Sequence, residues 1–153
     1  MSGKTRDDAA GRLRGVDTNV LVCYFALDDP AQTPLACDFL EGAERRGERL
    51  FVSLPVLCET LWTLGSPRYR TPKQELTAIL EGLLQSPVFL IQARGLVRLA
   101  LDDFRAGKAD FADYLIGRCA EAAGCSETYT FDRDLAASPG YRLLTTDSGS
   151  AAP

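Results

Sequence analysis

Short apolar runs alternate with helix-patterned segments along almost the whole chain, and this alternation restricts the fold more than any other feature. The runs fall at residues 13–16, 50–54, 88–91 and 128–131, with a fifth at 141–144. Each is short and flanked by turn formers, so each reads as a strand. Apolar stripes at helical spacing lie between them. One passes through Leu21, Val22 and Phe25 and breaks at Asp28-Asp29-Pro30. The next opens at Thr33-Pro34, an N-cap followed by proline at the first helical position, and ends near Gly47. Pro55 opens a helix with Leu57, Leu61 and Leu64 on one face, stopped by Gly65-Ser66-Pro67. Thr71-Pro72-Lys73-Gln74 has the form of a capping box and predicts a helix to Leu84. Further helices are expected over 95–104 and 110–123. This order predicts an α/β fold of three layers, with a central, mainly parallel sheet covered by helices on both faces.

At 153 residues the chain has the length of one domain. We place that domain at 13–145, between flexible tails at 1–12 and 146–153 that lack apolar periodicity. No apolar run approaches the ~20 residues that span a bilayer. The polar N-terminus carries two acids, unlike a signal or transit peptide. Five cysteines, an odd number without C-x-x-C spacing, argue against a disulfide framework and a zinc site. A cytoplasmic, soluble protein is the expectation. Histidine is absent, which removes Ser-His-Asp and Cys-His hydrolysis.

In parallel sheets ligands bind beyond the carboxyl ends of the strands, so the acids there carry the most information. Asp17 follows the first strand and Asp132 the fourth. Glu59 lies early in the helix after the second strand, and Asp113 in the first turn of the helix after the third. The fold is expected to bring all four to one sheet edge. Clustered carboxylates repel and raise one another's pKa, and a hard divalent cation removes that penalty. Mg²⁺ and Mn²⁺ prefer such oxygen ligands, can activate a bound water and can hold phosphodiester oxygens. Each acid also has a plainer role open to it. Asp17 suits a turn, Asp110 an N-cap with Asp113 as its first-turn acid, and Asp132 a solvated turn beside Arg133 and Asp134. Glu59, expected to be largely buried among Val56, Leu57, Leu61 and Trp62, needs either a metal or an arginine partner.

Four segments carry a family resemblance. Val16-Asp17-Thr18-Asn19-Val20-Leu21 resembles the opening motif of PIN domains, and Cys58-Glu59-Thr60-Leu61-Trp62 their second. Ala109-Asp110-Phe111-Ala112-Asp113-Tyr114-Leu115-Ile116 is similar to the third, and Thr130-Phe131-Asp132-Arg133-Asp134-Leu135 to the fourth. The resemblance implies an α/β/α nuclease with Asp17, Glu59, Asp113 and Asp132 as catalytic, metal-binding acids for Mg²⁺ or Mn²⁺. It implies supporting roles for Asn19, Asp110 and Thr130. The compact chain is similar to the toxin half of VapBC-type pairs, which are endoribonucleases. That likeness implies an RNA substrate, a cognate VapB-type antitoxin and a homodimer, with Phe25, Phe39, Leu61 and Trp62 lining the antitoxin groove unless they pack in the core.

Net charge is a difficulty for RNA binding. Lys and Arg number 17 against 21 acids, a net −4, whereas nucleic-acid binders are usually basic. Setting four acids aside as a metal site leaves 17 of each sign. Arg68, Arg70 and Arg133 are then candidates for RNA contact, with surface solubility the alternative. Two other functions stay open: a catalytically degenerate PIN-like binding module, and a phosphatase or phosphoacceptor with Asp17 as nucleophile. The latter commonly wants a second acid two residues on, where this chain has Asn19.

Overall fold

The computed structural model describes residues 12–146. The segments 1–11 and 147–153, which hold nearly all of both expected tails, lie outside the described residues. Seven helices and five strands are seen among the described residues, and the chain divides into two compact units at Arg94 and Gly95.

In the first unit β1 (Leu13–Gly15), β2 (Arg49–Val52) and β3 (Phe89–Ile91) form a parallel sheet in the order β1-β2-β3. Leu13 stands opposite Arg49, and Leu50 opposite Phe89. Two helices fill each crossover: α1 (Thr18–Ala26) and α2 (Gln32–Arg45), then α3 (Leu54–Gly65) and α4 (Lys73–Gln85). Parallel strands need such long crossovers, because a hairpin cannot join them. The core is aliphatic, with Leu21, Leu50, Val52, Leu57, Leu64, Leu80, Leu83 and Leu84 all buried. One carboxylate is buried with them. Glu48 accepts from Arg46 at 2.9 Å and also pairs with Arg14 of β1. The Arg46 hydrogen bond, aided by Arg14, holds the Glu48 carboxyl below its ordinary range.

Two helix starts differ from expectation. The α2 helix opens at Gln32 because the Asp29 carboxylate takes the N–H groups of Ala31 and Gln32, both at 2.8 Å. Thr33-Pro34 therefore lies inside the first turn, where proline is tolerated because those N–H groups have no helical partner. At α4 no side chain caps the helix, and Pro72 occupies the N-cap. The expected Thr71–Gln74 box does not form, because Thr71 N–H donates to the Leu64 carbonyl at 3.0 Å.

The second unit holds α5 from the boundary onward (Arg94–Ala106), α6 (Phe111–Ala122), β4 (Thr128–Thr130), α7 (Arg133–Ala136) and β5 (Tyr141–Leu143). The strands β4 and β5 pair in parallel, Thr128 with Tyr141 and Thr130 with Leu143. All pairing is parallel, as expected, but the five strands form a three-stranded and a two-stranded ladder. The single turn α7 was not foreseen. Its four residues are too few to show a helical period. No described helix is long and apolar enough to cross a membrane.

Two tyrosines set the local geometry of this unit. The Tyr114 hydroxyl accepts from Ala109 N–H at 3.2 Å and lies over Gly107. Tyr141 hydroxyl donates to the Asp113 carbonyl at 2.6 Å, its ring lying against Gly117. A Cβ at Gly117 would stand 1.9 Å from the Tyr141 hydroxyl and 2.3 Å from its ring. Gly117→Ala should therefore displace the ring and lower stability by about 1–3 kcal/mol. Gly82→Ala, in α4 with nothing within 4 Å of the new Cβ, should instead raise it by about 0.5–1 kcal/mol. Paired urea melts of the two variants check both signs.

Candidate active site

The motif acids lie two or more to each unit, and each is fixed by its own local geometry. Asp17 follows β1 and is the N-cap of α1, with one oxygen, Oδ1, accepting from Thr18 N–H at 2.8 Å. The Thr18 hydroxyl donates to Glu59 Oε2 at 2.9 Å. Thr18 is buried, so one threonine ties the two acids of the first unit through its backbone and its side chain. Glu59 itself is exposed, contrary to expectation. It stands on the solvent side of α3 between buried Leu57 and Leu61, while Trp62 is 72% exposed. A glutamate so placed needs no arginine partner.

In the second unit Asp110 is the N-cap of α6, and its N–H donates to Asp113 Oδ2 at 3.2 Å. Asp132 is the N-cap of α7, where Oδ1 accepts from Asp134 N–H at 2.9 Å and Leu135 N–H at 3.2 Å. The Asp132 N–H in turn donates to Thr130 Oγ1 at 3.0 Å, which closes a tight turn around Phe131. Burial pushes the Asp113 carboxyl above its ordinary range, and the charges of Asp110 and Asp132 add to the rise against the opposing Asp110 hydrogen bond. Asp110, Asp113 and Asp132 thus share one field.

A common pattern joins these residues. Asp17, Glu59, Asp113 and Asp132 each commit one carboxylate oxygen to a protein donor. The second oxygen of each accepts no hydrogen bond among the described residues. Such oxygens are hard, anionic and partly oriented, which is the donor chemistry a divalent cation takes. No group of three or more Asp, Glu or Cys side chains is arranged to hold an ion among the described residues.

The supporting candidates divide. Thr130 fixes the Asp132 turn, as described. Asn19 is exposed and bonds to neither acid of its unit; it lines an apolar pocket of about 330 Å³ with Val20, Cys23, Leu35 and Phe39. Arg68 pairs with Asp28 at 3.5 Å and lies over the Tyr69 ring, and Arg70 donates to the Pro67 carbonyl at 3.1 Å. Arg133 is exposed and makes no ion pair among the described residues. Thr18 and Tyr141 were missed. Thr18 sits within the D-T-N string, where its hydroxyl was a readable signal. Tyr141 acts across 28 positions and left none.

The PIN domain family matches residues 16–140. The chain belongs to this family, and the match takes in all four motifs and the strands between them. PIN domains are generally nucleases and typically use divalent metals. No individual curated protein matches the chain.

The raised Asp113 carboxyl has a consequence for stability. A carboxyl that binds its proton more tightly when folded weakens the folded state once pH exceeds its unfolded value, and does nothing below it. Asp113→Asn keeps an acceptor for Asp110 N–H but removes the charge. It should therefore raise the melting temperature at pH 7 and leave it unchanged near pH 3. Asp110→Asn or Asp132→Asn should lower the Asp113 titration midpoint, which carboxyl-detected NMR reads directly.

Proposed function

We propose that this PIN domain is a Mg²⁺- or Mn²⁺-dependent endoribonuclease, the toxin of a VapBC-type toxin–antitoxin pair. The observation that carries the reading is the shared state of the four motif acids, each held by a protein donor through one oxygen with the other left open. Asp17, Glu59, Asp113 and Asp132 would hold the ion. When bound, it would lower the pKa of a water and offset charge on the phosphodiester.

The chain's own groups do the positioning. Thr18 keeps Asp17 and Glu59 in fixed relation, and its burial limits the rotamers either acid can force on it. The Asp110 N–H orients Asp113 and the Thr130 turn orients Asp132. Orientation of this kind lowers the reorganisation needed when charge develops in the reaction.

The partners follow the same reading. The apolar pocket of α1 and α2, with Leu35 69% exposed and Phe39 in its lining, supports docking of an antitoxin segment there, and exposed Trp62 supports a homodimer or a wider groove. Leu61 is buried and belongs to the core instead. A cytoplasmic site of action is part of this proposal.

The test is cleavage of structured RNAs, tRNA included, by antitoxin-free protein in Mg²⁺, Mn²⁺ and EDTA. Metal-dependent cutting is expected. Asp17→Asn and Asp113→Asn should each slow it by about 100-fold or more. Thr18→Val, which keeps shape and removes the donor to Glu59, should cost about 10–100-fold. Mg²⁺ should also raise the melting temperature of the wild type more than that of Asp113→Asn. No cutting and no metal-dependent rise would sink the enzyme reading and leave the degenerate binding module.

A further inference from the structure

Phe131 is the most exposed large apolar side chain among the described residues, at 79%. It stands between Thr130 and Asp132, immediately before a motif acid. Its backbone is not loose. The Asp132 N–H donates across it to Thr130 Oγ1 at 3.0 Å, and Asp132 Oδ1 anchors the next two N–H groups. Hydrogen bonds therefore brace the backbone that carries the exposed ring, and the ring meets no other aromatic ring among the described residues. Across a trans peptide its α-carbon lies only ~3.8 Å from that of Asp132.

Charge makes such a ring more telling. Nucleic-acid affinity normally comes from basic groups on phosphates, yet this chain carries a net −4. Of the arginines, Arg118 is held by Asp103 at 2.7 Å and Glu121 at 3.0 Å, and Arg142 by Glu127 at 2.7 Å. Base stacking is the attractive contact that needs no net charge, because every base offers a π-face to an aromatic ring. Arg133, exposed on the far side of Asp132, adds a cation beside it.

We propose that Phe131 is a stacking platform for an unpaired base of the RNA next to the phosphate that Asp132 faces. This rests on the nuclease reading and adds a binding contact to it: the base beside that phosphate is taken by shape and stacking on Phe131. A duplex cannot offer that face. Phe131 thus favours loops and unpaired ends.

The experiment measures anisotropy of a fluorescein-labelled, mixed-sequence single-stranded oligoribonucleotide with the full chain in Ca²⁺, alongside cleavage of the same oligonucleotide in Mg²⁺. Phe131→Ala should weaken binding about 5- to 100-fold and raise KM more than it lowers kcat. Phe131→Leu keeps the apolar bulk without the ring and should resemble Phe131→Ala, whereas Phe131→Trp should bind at least as tightly as the wild type. Abasic substitution at one position of the oligonucleotide should make the wild type and Phe131→Ala equal. The ring is exposed, so these variants should melt like the wild type. A wild type that binds and cuts, with Phe131→Ala within twofold of it, would overturn the stacking role and leave the nuclease reading standing. Unchanged RNA affinity with lost self-association in sedimentation would overturn it in favour of a protein contact. A wild type that neither binds nor cuts RNA would overturn both.

Discussion

A helix that starts where a strand or loop ends leaves its first N–H groups without partners, and a carboxylate at the junction satisfies them. Asp17 does this for α1 and Asp132 for α7, while Asp113 returns an oxygen to the N–H of the cap residue of α6. Such an acceptor typically contributes ~1 kcal/mol, and the helix N-terminus favours its negative charge. The motif acids are therefore structural groups first. Folding alone orients them and alone accounts for one oxygen of each. Because a carboxylate has two oxygens, the same side chain can cap a helix and still present an acceptor outward. Capping and chemistry are not competing explanations for these residues.

What separates this arrangement from ordinary capping is the coupling added to it. Thr18 is buried, and its hydroxyl reaches across from α1 to Glu59 on α3. An exposed glutamate on a helix would otherwise sample several rotamers; the threonine restrains it. In the second unit Tyr141 fixes the backbone carbonyl of Asp113, and Gly117 exists as glycine because the ring occupies the space of a side chain. These contacts hold Asp113 partly buried and beside two other acids, which is unfavourable for its charged form.

Much of this was legible in the sequence, and the failures share a cause. The strands, the six longer helices and their order follow from periodicity, because two-residue and 3.6-residue patterns are local. Helix starts were less legible. Thr33-Pro34 and Thr71–Gln74 both satisfy the local rules, but Asp29 takes the N–H groups of Ala31 and Gln32 and so starts the helix earlier, and the Leu64 carbonyl takes the Thr71 N–H. Glu59 failed differently. Its neighbours in sequence are apolar, which suggested burial, yet on a helix adjacent residues point to different faces. Leu57, Thr60 and Leu61 turn inward and Glu59 outward. The acids themselves were found because capping and strand-end positions are sequence-local. The threonine and tyrosine that position them act over 41 and 28 residues, a separation only the folded chain resolves.

Electrostatics then limits what an RNA-cleaving site here can look like. A basic protein can gather RNA through many phosphate contacts and orient it afterward. This chain is poorly furnished for that, since its acids outnumber its bases and several arginines are already paired with carboxylates. On the proposed function, attraction would arise within the site itself, from a cation held by the acids and from contacts that ignore charge. Selectivity follows from the same limit. On that reading, with little non-specific affinity, an RNA that lacks the right unpaired base beside the right phosphate would gain almost nothing by binding, and the net negative charge would act as a filter as well as an obstacle.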